Sequence, residues 1–189
     1  MNYLFNSDRM KHLKKINLSS NLITPVGAET IAQSERMPKL EVLDLRKNRI
    51  DNAGFKAIIN SEQYKKLLDI RIDDNGIQES GAKLLTYGCT LDNLTKFSVR
   101  SNMFSSKGCQ YIQVYAFRNL TFLNISRNEV ADDGIKYLAD ASYLRNLEHL
   151  YADDNKLTED SGIYLAESKY LTMLTHISLK YNMIGVAGA

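Results

Sequence analysis

The sequence predicts a right-handed α/β solenoid: strand–turn–helix units coil so that the strands form one parallel concave sheet and the helices lie outside. Three observations carry this expectation. Asparagine recurs at 21, 48, 75, 102, 128, 155 and 182, with intervals of 27, 27, 27, 26, 27 and 27 residues. Apolar residues occupy fixed offsets within each interval. A glycine then introduces a segment with helical spacing. Self-similarity at a period of a few tens of residues marks a repeat architecture, because no single unit of that size can bury its apolar face alone.

Leu13, Leu40, Leu67, Leu94, Leu120, Leu147 and Leu174 serve as offset zero. Ile16, Leu43, Ile70, Phe97, Leu123, Leu150 and Ile177 follow at offset three. Leu18, Leu45, Ile72, Val99, Ile125, Ala152 and Leu179 follow at offset five. Their alternation with polar residues has the period of a strand with one buried face. Offset eight is the asparagine, and offset ten is Ile23, Ile50, Ile77, Phe104, Val130, Leu157 or Ile184. Offset fourteen is Gly27, Gly54, Gly81, Gly108, Gly134 and Gly188, with Ser161 as the exception. Glycine there is expected to serve tight backbone geometry where the chain turns into a helix. Beyond it the apolar residues have helical spacing, as in Ile31 with Ala28 and Ala32, and Ile135 with Leu138 and Ala139. A parallel strand needs a crossover of about a dozen residues to reach its neighbour, and a helix fits that length.

The pattern L-x-x-L-x-L-x-x-N-x-I-x-x-x-G resembles the leucine-rich repeat. A period of 27 residues with a helical second half is similar to its ribonuclease-inhibitor subclass. The resemblance covers residues 1–189 as one domain and implies a horseshoe-shaped solenoid. Residues 4–13 align with 31–40 and 58–67, and the chain closes near offset fourteen of the seventh unit. Both ends are therefore expected to fall within a repeat.

Composition bounds the function. The 189 residues are 44% hydrophobic, and 24 basic residues face 22 acidic ones. A formal net charge of +2 gives no global field for nucleic acid or an anionic membrane, so neither is expected as a partner. Cys89 and Cys109 are too few for a disulfide-stapled secreted scaffold. The first residues lack the apolar core of a secretion signal, so a cytoplasmic setting is the expectation.

Most chemistry-bearing residues have a repeat-based explanation. The asparagines are expected to bond backbone groups of neighbouring coils. The pairs Asp73–Asp74 and Asp153–Asp154 resemble metal ligands. Read as a calcium loop, however, residues 71–82 place Arg71 at the first ligand and Ala82 at the bidentate one. His149 and His176 share offset two in adjacent units, so their rings are expected to meet, but two histidines alone are a weak metal signal. Cys109 falls on a core offset, and Cys89 lies near a turn without a neighbouring base. No catalytic residue, metal, cofactor or small-molecule substrate is expected.

Offsets two, four, six and seven are expected to face out of the concave sheet. Opposite charges on adjacent strands would pair there, as in Arg46–Asp73–Arg100. Phe122 beside His149 and Tyr151 does not fit that account. Exposed aromatic residues among charges are the composition of interface hot spots. The candidate partner-binding residues are therefore Arg71, Asp73, Arg100, Phe122, Arg127, His149, Tyr151 and Asp153. The function expected is a module that binds another protein on its concave face. The resemblance implies further contexts: an effector delivered into a host cytoplasm, a GTPase-activating regulator, or the substrate-recognition part of a ubiquitin ligase.

Overall fold

In a computed structural model, which describes residues 4–186 and 188, seven three-residue strands form one parallel sheet in chain order. They are β1 Lys15–Asn17, β2 Val42–Asp44, β3 Asp69–Arg71, β4 Lys96–Ser98, β5 Phe122–Asn124, β6 His149–Tyr151 and β7 His176–Ser178. The register advances one unit per strand, so Ile16 pairs with Leu43, Leu43 with Ile70, and on to Leu150 with Ile177. Six helices cover the outer face: α1 Pro25–Ala32, α2 Asp51–Ile59, α3 Glu79–Lys83, α4 Ser105–Tyr111, α5 Ala131–Ala139 and α6 Glu159–Ala166. The architecture is an α/β solenoid of the horseshoe type.

The core lies between sheet and helices. Leu43, Ile70, Phe97, Leu123 and Leu150 at offset three are fully buried, as are Leu45, Ile72, Val99, Ile125 and Ala152 at offset five. Phe55, Phe97, Phe104 and Phe117 fill the middle coils, and the Phe97 and Phe117 ring centres lie 5.1 Å apart.

The asparagines run in a line that ties each coil to the one before it. Asn102 donates from Nδ2 to Val99 and Arg100 of its own coil and to Ile72 of the preceding one. Its Oδ1 accepts from the backbone N–H groups of Asn75 and Ile77 in that preceding coil. Asn128 repeats the donor pattern with Val99, Ile125 and Ser126. The residue just before each asparagine sits in the left-handed region: Ser20, Lys47, Asp74, Ser101, Arg127, Asp154 and Tyr181 have φ between 53° and 59°. This kink swings the following asparagine inward from the strand.

The glycines at offset fourteen have a different reason from the one expected. Gly27, Gly54, Gly81, Gly108 and Gly134 lie inside the first turns of α1 to α5, and none has a left-handed φ. Space excludes a side chain instead. A Cβ on Gly54 would stand 2.6 Å from Ile50 Cγ2 and 2.8 Å from Ala28 Cβ of the preceding helix. Ser161, the exception, is tolerated because its hydroxyl donates to Asp132 Oδ1 in the preceding coil. Asp132 also accepts from the Thr158 N–H and hydroxyl at 2.8 Å each. Burial raises the Asp132 pKa, but these bonds outweigh it and hold the carboxyl below its ordinary value.

Candidate functional site

The concave sheet carries the residues that the core does not dictate, and strand pairing sets their order. Phe122, His149 and His176 occupy equivalent positions on β5, β6 and β7. Asn124, Tyr151 and Ser178 form the next row. Adjacent strands stand about 4.8 Å apart, so neighbouring rings must meet. They form a four-ring cluster. Phe122 lies 5.2 Å from Tyr151 and 6.3 Å from His149, centre to centre. His176 lies 5.0 Å from Tyr151 and 5.9 Å from His149. Phe122, His149 and Tyr151 are half-buried, and His176 is exposed. His176 was not singled out as a contact residue from the sequence. Its shared offset with His149 is the signal that identifies it.

The charged half of the sheet differs from the sequence expectation. The ladder Arg46–Asp73–Arg100 does not form. Arg46 grips Asp44 at the end of β2 in its own coil, with Nε 2.9 Å from Oδ1 and Nη2 2.6 Å from Oδ2. Arg71 does the same with Asp69 at 3.2 and 2.7 Å. Side chains two residues apart share one face of a strand, and a guanidinium matches both carboxylate oxygens within that spacing. The carboxylates of Asp44 and Asp69 are thereby drawn beneath their arginines, and both residues are buried although the sequence places them on the outward offsets. Ser98, Ser126 and Ser178 are also buried there, because the concave face crowds short side chains between longer ones.

Asp73 supports the next coil, accepting from the Ser98 hydroxyl at 2.5 Å and the Arg100 N–H at 2.9 Å. Asp153 does the same with Ser178 at 2.6 Å and the Lys180 N–H at 2.8 Å. Burial pushes the Asp73 carboxyl above its ordinary pKa, against the opposing pull of these two bonds and of Arg46. Of the eight candidate residues, Phe122, His149 and Tyr151 come together. Arg71 is half-exposed and held by Asp69, Arg100 is half-exposed, and Arg127 is exposed and paired across coils with Asp154 at 3.3 Å. Asp73 and Asp153 have their carboxylates engaged in the fold. Between the charged and aromatic halves lies a hollow of about 280 Å³, bordered by Arg71, Lys96, Ser98, Phe122 and Asn124.

The chemistry on offer is recognition by hydrogen bonds, charge and aromatic contact. Cys109 is buried, and burial raises its thiol pKa. Burial likewise pushes the Cys89 thiol up to about 11. Neither is disposed to act as a thiolate nucleophile. Among the described residues, no group of three or more His, Cys, Asp or Glu side chains is placed to hold a metal ion. No helix among them is long and apolar enough to cross a membrane.

A family model described as the leucine-rich repeat matches residues 9–32, 36–58 and 118–139. Those segments run through the turn, strand and helix of coils already seen to repeat across the sheet. The fold is that of a leucine-rich-repeat solenoid. No curated protein matches the chain. Among solved structures, the chain is similar to an internalin, InlF, from Listeria monocytogenes strain 4b F2365, with 16% identity and a TM-score of 0.49. The match covers 95% of this chain and 58% of the internalin chain.

Proposed function

We propose that the concave sheet binds a partner protein, with the rings of Phe122, His149, Tyr151 and His176 at the centre of the contact. Arg71, Arg100 and Arg127 would border it, with Asp73 and Asp153 fixing the coils beneath. The observation that carries this reading is the four-ring cluster itself. Three aromatic or imidazole rings at half-burial and a fourth exposed stand on a face whose core needs none of them. Tyr and Arg dominate the energetics of protein interfaces because each offers a large contact area with polar ends. The reading is one of binding rather than catalysis.

The ribonuclease-inhibitor subclass also belongs to this proposal. It rests on the 27-residue period and on α-helices rather than extended segments on the outer face. A secreted effector's role in a host cytoplasm rests on resemblance alone and adds nothing to the site.

The test is the affinity for a protein captured by the full chain. Tyr151→Ala is expected to weaken that complex by about tenfold or more, corresponding to about 1.4 kcal/mol, while the unfolding midpoint moves little. An unchanged dissociation constant for Tyr151→Ala and for Phe122→Ala would refute the assignment.

A further inference from the structure

The turn that leads into the strand is the same for β1 to β6. The N–H at offset zero bonds the carbonyl three residues earlier in Leu13–Met10, Leu40–Met37, Leu67–Tyr64, Leu94–Leu91, Leu120–Phe117 and Leu147–Leu144, at 2.9 to 3.1 Å. The two residues inside each turn stand at equivalent places along one edge of the solenoid, exposed except for the half-buried Arg118. Side-chain bonds keep that edge in register: Asn93 donates to the Lys65 carbonyl at 2.7 Å, and Asn146 to that of Arg118 at 2.8 Å. The charged residues at the turn positions are Lys11, Lys39, Lys65, Lys66, Arg118 and Arg145, with Asp92 as the single acidic one. Lys65 is paired with Glu62 and Arg118 with Asp92. Lys11, Lys39, Lys66 and Arg145 are exposed and form no ion pair among the described residues. On the opposite edge the first turns of α5 and α6 carry Asp132, Asp133, Glu159 and Asp160. Lys107 and Lys156 stand on that edge too, so the basic row is a local feature of the turns within a chain of net charge +2.

We infer that this row of turns is a second interaction surface, distinct from the concave face, and that it takes an extended acidic segment of a partner protein. The row is narrow and periodic. Coils repeat about every 4.8 Å and an extended chain advances about 3.4 Å per residue, so three residues of such a segment span two coils. At the far end Tyr115 and Tyr143 stand edge to face at 5.9 Å, with the Arg118 guanidinium 4.0 Å over the Tyr115 ring, and Tyr115 is 61% exposed. That end offers apolar contact beside the charges. A single-stranded nucleic acid would need rings interleaved with the cations along the row, and here Tyr115 and Tyr143 stand at one end only, away from Lys11, Lys39 and Lys66. A duplex or a membrane presents a broad anionic surface, and this row offers only a narrow line of cations interrupted by Asp92.

The experiment is fluorescence anisotropy of a labelled peptide of about twelve residues, with Glu at every third position, at low and high salt. The full chain is expected to bind it, more weakly at high salt. Combined Lys11→Glu, Lys39→Glu, Lys66→Glu and Arg145→Glu substitutions should lower affinity by about tenfold or more, with an unaltered circular dichroism spectrum. Tyr151→Ala should leave peptide affinity unchanged, which separates this surface from the concave one. Equal binding by the charge-reversed protein, or equal binding of a Gln-substituted peptide, overturns the inference. So does a preference for duplex oligonucleotide or phosphatidylserine vesicles over the peptide.

Discussion

At the scale of single residues, one amide per coil supplies what an apolar residue cannot. Asn128 is fully buried and gives three hydrogen bonds to carbonyls of two coils, while its Oδ1 accepts from the Phe104 N–H at 3.2 Å. Asn128→Ala strands these groups away from water, at about 1–3 kcal/mol for each one left unsatisfied. A loss of about 3 kcal/mol or more in urea unfolding is expected. Asn21→Ala should lose well under half of that, because Asn21 is exposed and bonds only its own coil. Asp73 gives a prediction of opposite sign. Its folded pKa is raised by burial, so its protonated form is favoured by folding. The stability linked to this carboxyl is greatest below the unfolded value and declines as pH rises through the folded one. Asp73→Asn retains an acceptor for the Arg100 N–H and removes the desolvated charge. Unfolding free energies measured from pH 3.5 to 7 should therefore shift in favour of the variant as pH rises.

At the scale of elements, the helices stack closely because glycine lies where they touch. A Cβ on Gly134 would stand 2.3 Å from Val130 Cγ1 and 3.2 Å from the Ser106 Cα of the preceding helix. A backbone neighbour cannot give way as a flexible side chain can. Gly134→Ala is expected to cost about 1–3 kcal/mol despite the better intrinsic helix propensity of alanine, read from the thermal unfolding midpoint. A neutral or stabilising result would mean that α4 and α5 separate freely. The strands gain their order from the same stacking. Each has only three residues, and pairing with its neighbours, the asparagine line and the buried rows at offsets three and five hold it in place.

At the scale of the whole molecule, coil-to-coil contacts sum to one continuous core, and the sheet they build displays what each coil can vary. The coil period was legible because each interior role admits few residue types: Asn for the backbone bonds, Gly for the close helix contact, Leu or Ile for the buried strand face. The meeting of Phe122, His149 and Tyr151 was legible too, since parallel register converts equal offsets into neighbours. The charge pattern was not. Arg46 has a carboxylate both in its own coil and in the next one, and rotamer geometry decides for Asp44. Nor did the sequence alone distinguish a glycine needed for dihedral freedom from one needed for space. The basic row was hidden by a balanced total charge, since only the common turn geometry places Lys11, Lys39, Lys66 and Arg145 along one edge.

The central claim is that the ring cluster on β5–β7 is where a partner protein is held. Amide chemical-shift mapping by nuclear magnetic resonance, with the captured partner titrated into labelled protein, tests it most directly. The account predicts that the largest changes fall on Phe122, His149, Tyr151, His176 and their strand neighbours. Changes confined to the outer helices, with β5–β7 silent at saturation, would contradict it.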